Sequence, residues 1–383
     1  MTTALPAFAA IVVAAGSGSR AGEAKQWRAL GGKPVARWSV EVLLAAGAEE
    51  VVVVIADGAA AEARTALAGL SGWRLATGGA TRAASVRNGL KALGGPGDRP
   101  VLIHDAARPL LDAPVIRRLI AALQDADGAL PALPVADSLR RASDGLVAGA
   151  VDREGLWRAQ TPQAFRYQAI VDACAAWPDA EPATDEAAVL ERAGGRVRIV
   201  EGDPRLMKLT FPEDFAMAEA LIPRQIRVGQ GFDAHRWGPG TSVWLCGVEI
   251  PHDQTLIGHS DADAGLHALT DAILGAMGDG DIGDHFPPTD PQWRGVSSDR
   301  FLIHAVERLH ARGGRLINVD VTLICERPRV KPHRQAMRER LAELLSLPLD
   351  AVSVKATTTE AMGFTGRGEG LAAQALATLE LIA

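Results

Sequence analysis

Three unbroken apolar runs, at 8–15, 51–56 (VVVVIA) and 100–104 (PVLIH), dictate most of what the first half of this chain can become. Successive side chains of a strand point to opposite faces, so a run with no polar alternate must be covered on both sides. The stretches at about 34–46, 59–69, 82–93 and 113–126 carry helical spacing, and a weaker apolar run follows at 196–200. Strands joined by helices read as an α/β fold with a mostly parallel sheet, whose ligands sit beyond the C-terminal strand ends. The loop GSGSR at 16–20 and Asp105 both fall at such ends, hence on one rim.

Near Pro223 the pattern changes. Strands are expected at 226–234, 242–250, 315–325, 351–357 and 371–380, with helices near 261–277, 298–312 and 332–346, an α+β arrangement. At 383 residues the chain exceeds the roughly 250–300 residues at which single cores stop growing. The expected division is 1–222, a short linker at 223–227 (PRQIR), and 228–383.

A net charge of −6 without a basic run argues against nucleic acid or an anionic membrane as partner. No apolar run approaches the roughly 20 residues of a membrane helix. No Lys or Arg precedes Arg20, so 8–15 reads as a buried strand and not as a signal peptide. Cys174, Cys246 and Cys325 form no CxxC pattern and suit a reducing cytoplasm, each as a small buried hydrophobe.

GSGSRA at 16–21 nominally fits the dinucleotide pattern GxGxxG/A. That pattern also wants an acid about 20 residues on. Here the second strand ends near Asp57, about 40 residues on, which argues against a nicotinamide-dependent oxidoreductase. No Gly-Lys-Ser/Thr follows, so a P-loop is excluded as well. The loop offers two cations, Arg20 and Lys25, where a triphosphate's leaving pyrophosphate gains charge. An ordinary βα turn with solvated charges is the bland alternative.

Further along come Gly78-Gly79 with Arg82 and Ser85, HDAARP at 104–109, Asp152-Arg153, and Lys208. As a set, AAGxGxR, KQ, GGxxRxxSV, HDAARP, DRxGLWxAxTPQ and TDE resemble the 2-C-methyl-D-erythritol 4-phosphate cytidylyltransferases throughout 1–222. The resemblance implies a Rossmann-like nucleotidyltransferase domain. In it Arg20 and Lys25 stabilise the transition state at the α-phosphorus of CTP, and Arg153 and Lys208 place the substrate phosphate. Asp105 would help bind Mg²⁺ or Mn²⁺. Ala14, Ala15, Gly16, Gly79 and Ser85 would line the cytidine pocket with Arg82 in support. Thr81 departs from the family, which often has an acid there.

The second constellation is Asp233-Ala234-His235 with His267 downstream. Residues i and i+2 of a strand share a face, so Asp233 and His235 can reach one ion, and a helical His267 can add a third ligand. Three protein ligands with an open fourth position is the catalytic zinc arrangement. Ser260 and Asp263 read as a capping box for the following helix, with His259 at its positive end. Asp281-Ile282-Gly283 and the Phe286–Asp290 stretch read as a rigid polar loop. KATTTEAMGFTGRGEG at 355–370 supplies hydroxyls and Arg367 for a diphosphate and a base edge, or is simply a hydroxyl-rich edge strand.

Over 226–383 the chain resembles the 2-C-methyl-D-erythritol 2,4-cyclodiphosphate synthases. Carried over, Asp233, His235 and His267 hold Zn²⁺, while Glu360 is a ligand of a second divalent ion, Mg²⁺ or Mn²⁺. His259 and Thr358 align the diphosphate. Asp281, Ile282, Gly283, Phe286 and Asp290 hold the erythritol. Thr357, Thr359, Phe364 and Arg367, with Arg329 where the family commonly has Lys, hold the cytidine diphosphate. The family's site lies between subunits of a trimer, so a homo-oligomer built through this domain is implied. The alternative is a nucleotidyltransferase whose C-terminal half is a non-catalytic, zinc-stabilised trimerisation module. The two implied reactions are not consecutive, so a separate kinase, in transient contact at most, is implied between them.

Overall fold

The computed structural model describes residues 5–16, 24–94, 99–178, 181, 183–287, 293 and 295–382. It divides into two compact units, Met1–Ile222 and Pro223–Ala383.

The first unit is built on a mixed sheet in which the Phe8–Ala14 strand lies between Ala48–Ile55 and Pro100–Asp105, parallel to both. Trp73–Thr77 continues the sheet beyond Ala48–Ile55. Alternate residues of the apolar runs enter two separate cores. Phe8, Ala10, Val12, Val51, Val53 and Leu102 pack with residues of the helices Val35–Ala45, Ala60–Ala66 and Ala113–Ala122. Ala9, Ile11, Val52, Val54, Val101 and Ile103 pack with residues of Arg82–Leu93, Tyr167–Ala176 and Glu186–Arg192. Burial on both faces is why these runs show no polar alternation.

On the far side of Pro100–Asp105 the sheet departs from a simple parallel order. Gln163–Arg166 is antiparallel to both Pro100–Asp105 and Gly128–Pro134, and Val197–Glu201 pairs parallel with the latter. Gly128–Pro134 (GALPALP) escapes a sequence reading because it lacks a β-branched run and carries two prolines, which normally mark edges. A separate exposed arm pairs Leu139–Ser143 with Leu146–Val151.

The second unit holds a five-stranded sheet in the order Gln254–Ile257, Arg224–Pro239, Gly370–Ile382, Arg315–Ile324, Val352–Thr357. Residues of the helices Ala264–Met277, Asp299–Ala311 and Arg334–Leu345 join one face of the sheet in a single core. Two expectations are corrected. The segment 223–227 is not a free linker, because Arg224 already pairs with Ile382. The expected strand at 242–250 is a hairpin, Ser242–Leu245 with Val248–Pro251, turning at Cys246 and Gly247, both at positive φ.

Between Gly229 and Trp237 the odd-numbered residues are the more buried ones and face the helices. Gly229 and Gly231 are buried, while Ile226, Val228 and Phe232 are exposed on the opposite face. A Cβ at Gly229 would lie 1.9 Å from the Ala272 carbonyl oxygen, and one at Gly231 would lie 1.9 Å from that of Ala268. The missing side chains let the Ala264–Met277 helix rest directly on the strand. Asp233 and His235 continue the same face, so this close approach brings His267 down upon them. Gly231→Ala forces the helix outward, and overpacking of this kind costs about 3 kcal/mol at its upper end. The expected outcome is lower stability of the C-terminal unit in denaturant unfolding, together with loss of bound metal.

Candidate active sites

In the first unit, a cleft of about 550 Å³ opens at the C-terminal strand ends, lined by Ala14, Ala15, Gly16, Lys25, Gly79, Arg82, Ser85, Asp105 and Lys208 among others. It lies where the chain turns from one side of Phe8–Ala14 to the other, the usual ligand position in an open α/β sheet. The buried Gln26 amide donates to the carbonyls of Ala14 (2.9 Å) and Gly16 (3.1 Å), fixing the start of the Gly-rich loop. Lys25 Nζ donates to Leu209 O at 2.6 Å. Thr81 caps the Arg82–Leu93 helix, its hydroxyl accepting from Ala84 N at 3.1 Å, so the departure from the family's acid preserves a capping residue.

Asp105 is the electrostatic centre of this cleft. Its Oδ1 accepts from Arg82 Nε at 3.0 Å, and its Oδ2 accepts from Lys208 Nζ at 2.7 Å. Burial would raise the carboxyl, but the two cations outweigh it and hold the pKa well below the carboxylate range. Arg82 is in turn gripped by Glu186, with Nη1 at 2.6 and 2.9 Å from its two oxygens. Burial opposes the charge on Arg82, yet Glu186 and Asp105 together raise its pKa. Glu186, within the TDE motif, is a site residue that sequence reasoning left without a role.

Beneath Asp105 lies His104, fully buried. Its Nε2 faces Arg108 O at 3.0 Å and its Nδ1 faces Thr161 Oγ1 at 3.1 Å, while that hydroxyl accepts from Asp105 N at 3.0 Å. A carbonyl only accepts, so the proton sits on Nε2 and Thr161 donates to Nδ1. Arg153 is exposed and does not line the cleft, and Arg20 lies outside the described residues.

In the second unit, three ligand atoms converge. Asp233 Oδ2 lies 2.9 Å from both His235 Nε2 and His267 Nδ1, and the two ring nitrogens are 3.2 Å apart. His235 Nδ1 is 3.0 Å from Ile257 O, so its proton belongs there and Nε2 presents a lone pair to the cluster. This donor set fits a divalent cation, and among the described residues it is the only group of three or more such side chains.

Other expected residues fall differently. The helix starts at Ala264 with Asp263 as sole cap, accepting from Leu266 N at 3.1 Å, so there is no Ser260–Asp263 capping box. Ser260 Oγ instead meets His267 Nε2 at 3.1 Å, and His259 is exposed five residues before the helix. Asp281 caps a short turn, Ile282–His285, through a capping box with Asp284 that also includes Gly283. The Phe286 ring packs among Trp293, Phe301 and His304 with centroids 4.6–5.0 Å away. Asp290 lies outside the described residues.

Val352–Thr357 is an edge strand, and the loop after it is held by Glu326, which accepts from Thr359 N at 3.0 Å and Ala361 N at 3.4 Å. Thr358 Oγ1 donates to Glu360 Oε1 at 2.9 Å, Thr357 Oγ1 donates to Thr358 O at 3.0 Å, and Arg367 pairs with Glu369 at 2.7 Å. Arg329 and Phe364 are exposed. His235 aligns with Leu371, and Ala372 with Ile324, which aligns with Thr357. Three strand spacings, about 14 Å, therefore separate the metal cluster from the Thr-rich loop within one chain.

Residues 8–224 match the family described as 2-C-methyl-D-erythritol 4-phosphate cytidylyltransferase, and residues 226–380 match the YgbB family. The bifunctional enzyme IspD/IspF of Caulobacter vibrioides is 67% identical over 379 residues, which cover 97% of this chain and 99% of that protein. The chain belongs to the bifunctional IspD/IspF family. The Erythrobacter litoralis member is 54% identical over 377 residues, 98% of this chain and 97% of its own length. The solved bifunctional IspDF of Campylobacter jejuni is 33% identical with a TM-score of 0.50, covering 98% and 99% of the two chains. Like these relatives, the chain is a two-activity enzyme of the methylerythritol phosphate route to isoprenoids, which sets aside both the oxidoreductase and the non-catalytic trimerisation module. No helix among the described residues is long and apolar enough to cross a membrane.

Burial lowers the His104 pKa to about 4 from an ordinary 6.5. The unfolded chain binds a proton there at a pH where the folded chain does not, so stability is lost as pH falls from about 6.5 to 4. The shift corresponds to about 3 kcal/mol. Unfolding free energies measured over that window should fall in the wild type by this much more than in His104→Phe, which has nothing to titrate.

Proposed function

We propose that the N-terminal cleft joins CTP to 2-C-methyl-D-erythritol 4-phosphate, releasing pyrophosphate and 4-diphosphocytidyl-2-C-methyl-D-erythritol. An oxygen of the 4-phosphate attacks the α-phosphorus of CTP as the bond to pyrophosphate breaks. Lys25, with Arg20, balances the charge growing on the leaving group. Lys208, with Arg153, holds the attacking phosphate, and Ala14, Ala15, Gly16, Gly79 and Ser85 seat the nucleoside. The observation that carries this reading is one cleft into which five separate segments deliver Ala14, Ala15, Gly16, Lys25, Gly79, Ser85, Asp105 and Lys208; the parts given to Arg20 and Arg153 rest on the family resemblance alone. With both oxygens facing cations, Asp105 does not fit a divalent ion, so Mg²⁺ or Mn²⁺ would enter with the nucleotide phosphates.

The C-terminal unit converts 4-diphosphocytidyl-2-C-methyl-D-erythritol 2-phosphate into 2-C-methyl-D-erythritol 2,4-cyclodiphosphate and CMP. The 2-phosphate oxygen attacks the β-phosphorus and CMP departs. Asp233, His235 and His267 would hold Zn²⁺, which when bound withdraws charge from the phosphate it contacts. His259 and Thr358 align the diphosphate, Glu360 serves a second divalent ion, and Asp281, Ile282, Gly283 and Asp290 hold the erythritol. Thr357, Thr359, Phe364, Arg329 and Arg367 hold the nucleotide. We read the assembly as a homotrimer through this unit. One support is the 14 Å gap between the cluster and the Thr-rich loop; another is the exposed apolar sheet face of Ile226, Val228, Phe232 and Leu376. Three buried, unpaired cysteines suit a cytoplasmic enzyme.

Two assays test the pair of activities. Pyrophosphate release from CTP and methylerythritol phosphate should fall about 10²–10³-fold in Lys25→Ala. CMP release from the 2-phosphorylated substrate should be lost in His267→Ala, with metal content reduced. Each variant should leave the other reaction intact.

The first product carries a free 2-hydroxyl, whereas the second reaction starts from a 2-phosphate. A separate kinase must act between them, in transient contact at most. Supplied with CTP, ATP, metals and methylerythritol phosphate, the purified protein should form no cyclic diphosphate until that kinase is added.

A further inference from the structure

The His267 ring has two nitrogens, and only one of them faces the metal cluster. The other, Nε2, points at the hydroxyl of Ser298, 2.8 Å away, and at that of Ser260, 3.1 Å away. Ser298 is fully buried, with its hydroxyl on Asp261 Oδ1 and its backbone N–H donating to Asp261 Oδ2 at 3.1 Å. Asp261 Oδ1 also accepts from Asp263 N at 3.2 Å, which ties the carboxylate to the start of the His267 helix.

The direction of every proton in this chain follows from its far end. An ionised carboxylate only accepts, so the Ser298 hydroxyl donates to Asp261. The remaining lone pairs of Ser298 then accept from His267 Nε2–H and from Ser260, whose oxygens lie 3.3 Å apart, while Ser260 accepts from Ala262 N at 3.2 Å. With the His267 proton held on Nε2, Nδ1 is left as a bare lone pair beside Asp233 Oδ2. The Ile257 carbonyl does the same for His235 from the other side.

We propose that Asp261 and Ser298 form a positioning relay that fixes the tautomer and ring orientation of His267 and thereby sets the affinity of the cluster for its metal. Neither residue touches the three ligand atoms, and Ser260 has the subordinate role of steadying Ser298. The proposal rests on the reading of Asp233, His235 and His267 as zinc ligands. Partners of this kind typically govern metal affinity by about 10–100-fold.

The test is zinc affinity of the full-length protein, measured by competition with a chromophoric chelator, beside thermal unfolding of the metal-free form. Ser298→Ala should bind zinc about 10–100-fold more weakly. Asp261→Asn should weaken binding in the same direction, because an amide can donate to Ser298 and release the fixed order of protons. Ser260→Ala should change affinity less than Ser298→Ala does. A role confined to holding the fold would lower the unfolding temperature of the metal-free protein and leave affinity unchanged, which overturns the relay. Should Ser298→Ala fail to fold, Asp261→Asn decides, and wild-type affinity in that variant overturns the relay. If the wild type itself binds no zinc, the ligand reading falls and the relay with it, whereas unchanged affinity in the variants sinks the relay alone.

Discussion

Two missing side chains organise the C-terminal unit. Because Gly229 and Gly231 present no Cβ, the backbone of Ala264–Met277 can lie against the long first strand at a separation that any larger residue forbids. Ala268, Ala272 and Ala276 form the matching stripe on the helix, all buried. From this contact the rest follows. Asp233 and His235 are the next inward residues of the strand, and His267 lies one residue before the first alanine of the stripe. The Asp233, His235 and His267 cluster is thus the continuation of a packing surface: core contacts bring its backbone together, and hydrogen bonds from Ile257 and Ser298 orient its rings.

The N-terminal unit reaches precision by another route. Its strands are buried on both faces, so chemistry is confined to their ends, where the backbone emerges from the core. Asp105 ends one such strand, and its position is fixed from below by His104 and Thr161 and from the side by Arg82 and Glu186. A carboxylate flanked by two cations stays ionised, and it holds Lys208 against the cleft wall. Positive charge is gathered at one rim of a protein whose net charge is −6. Local placement, not overall charge, recruits an anionic substrate.

Both units place polar groups in buried networks whose proton directions are forced by groups that can only accept. A main-chain carbonyl settles His104 and another settles His235, and a carboxylate acting through a serine settles His267. A histidine whose tautomer is fixed presents a known lone pair or proton to the site, which removes the need to reorganise when a ligand arrives.

Much was legible in the residues themselves. The apolar runs disclosed a sheet covered on both faces, because alternation is absent only when both faces are buried. Asp233, His235 and His267 were legible because strand periodicity puts the first two together. Lys25, singled out beside the Gly-rich loop, does line the cleft at the strand ends. What only the tertiary structure decided depends on contacts between distant segments, to which local patterns are blind. The antiparallel Gln163–Arg166 strand, between Pro100–Asp105 and Gly128–Pro134, has no local signature, and Gly128–Pro134 is disguised by its prolines. Ser260 passed for half of a capping box, whereas it belongs to the network around His267. Glu186, Ser298 and Glu326 are ordinary polar residues in sequence. Each acquires its role only when folding buries it against, or hydrogen-bonds it to, a group more than 30 residues away, since a buried polar atom must find its partner wherever the chain brings one.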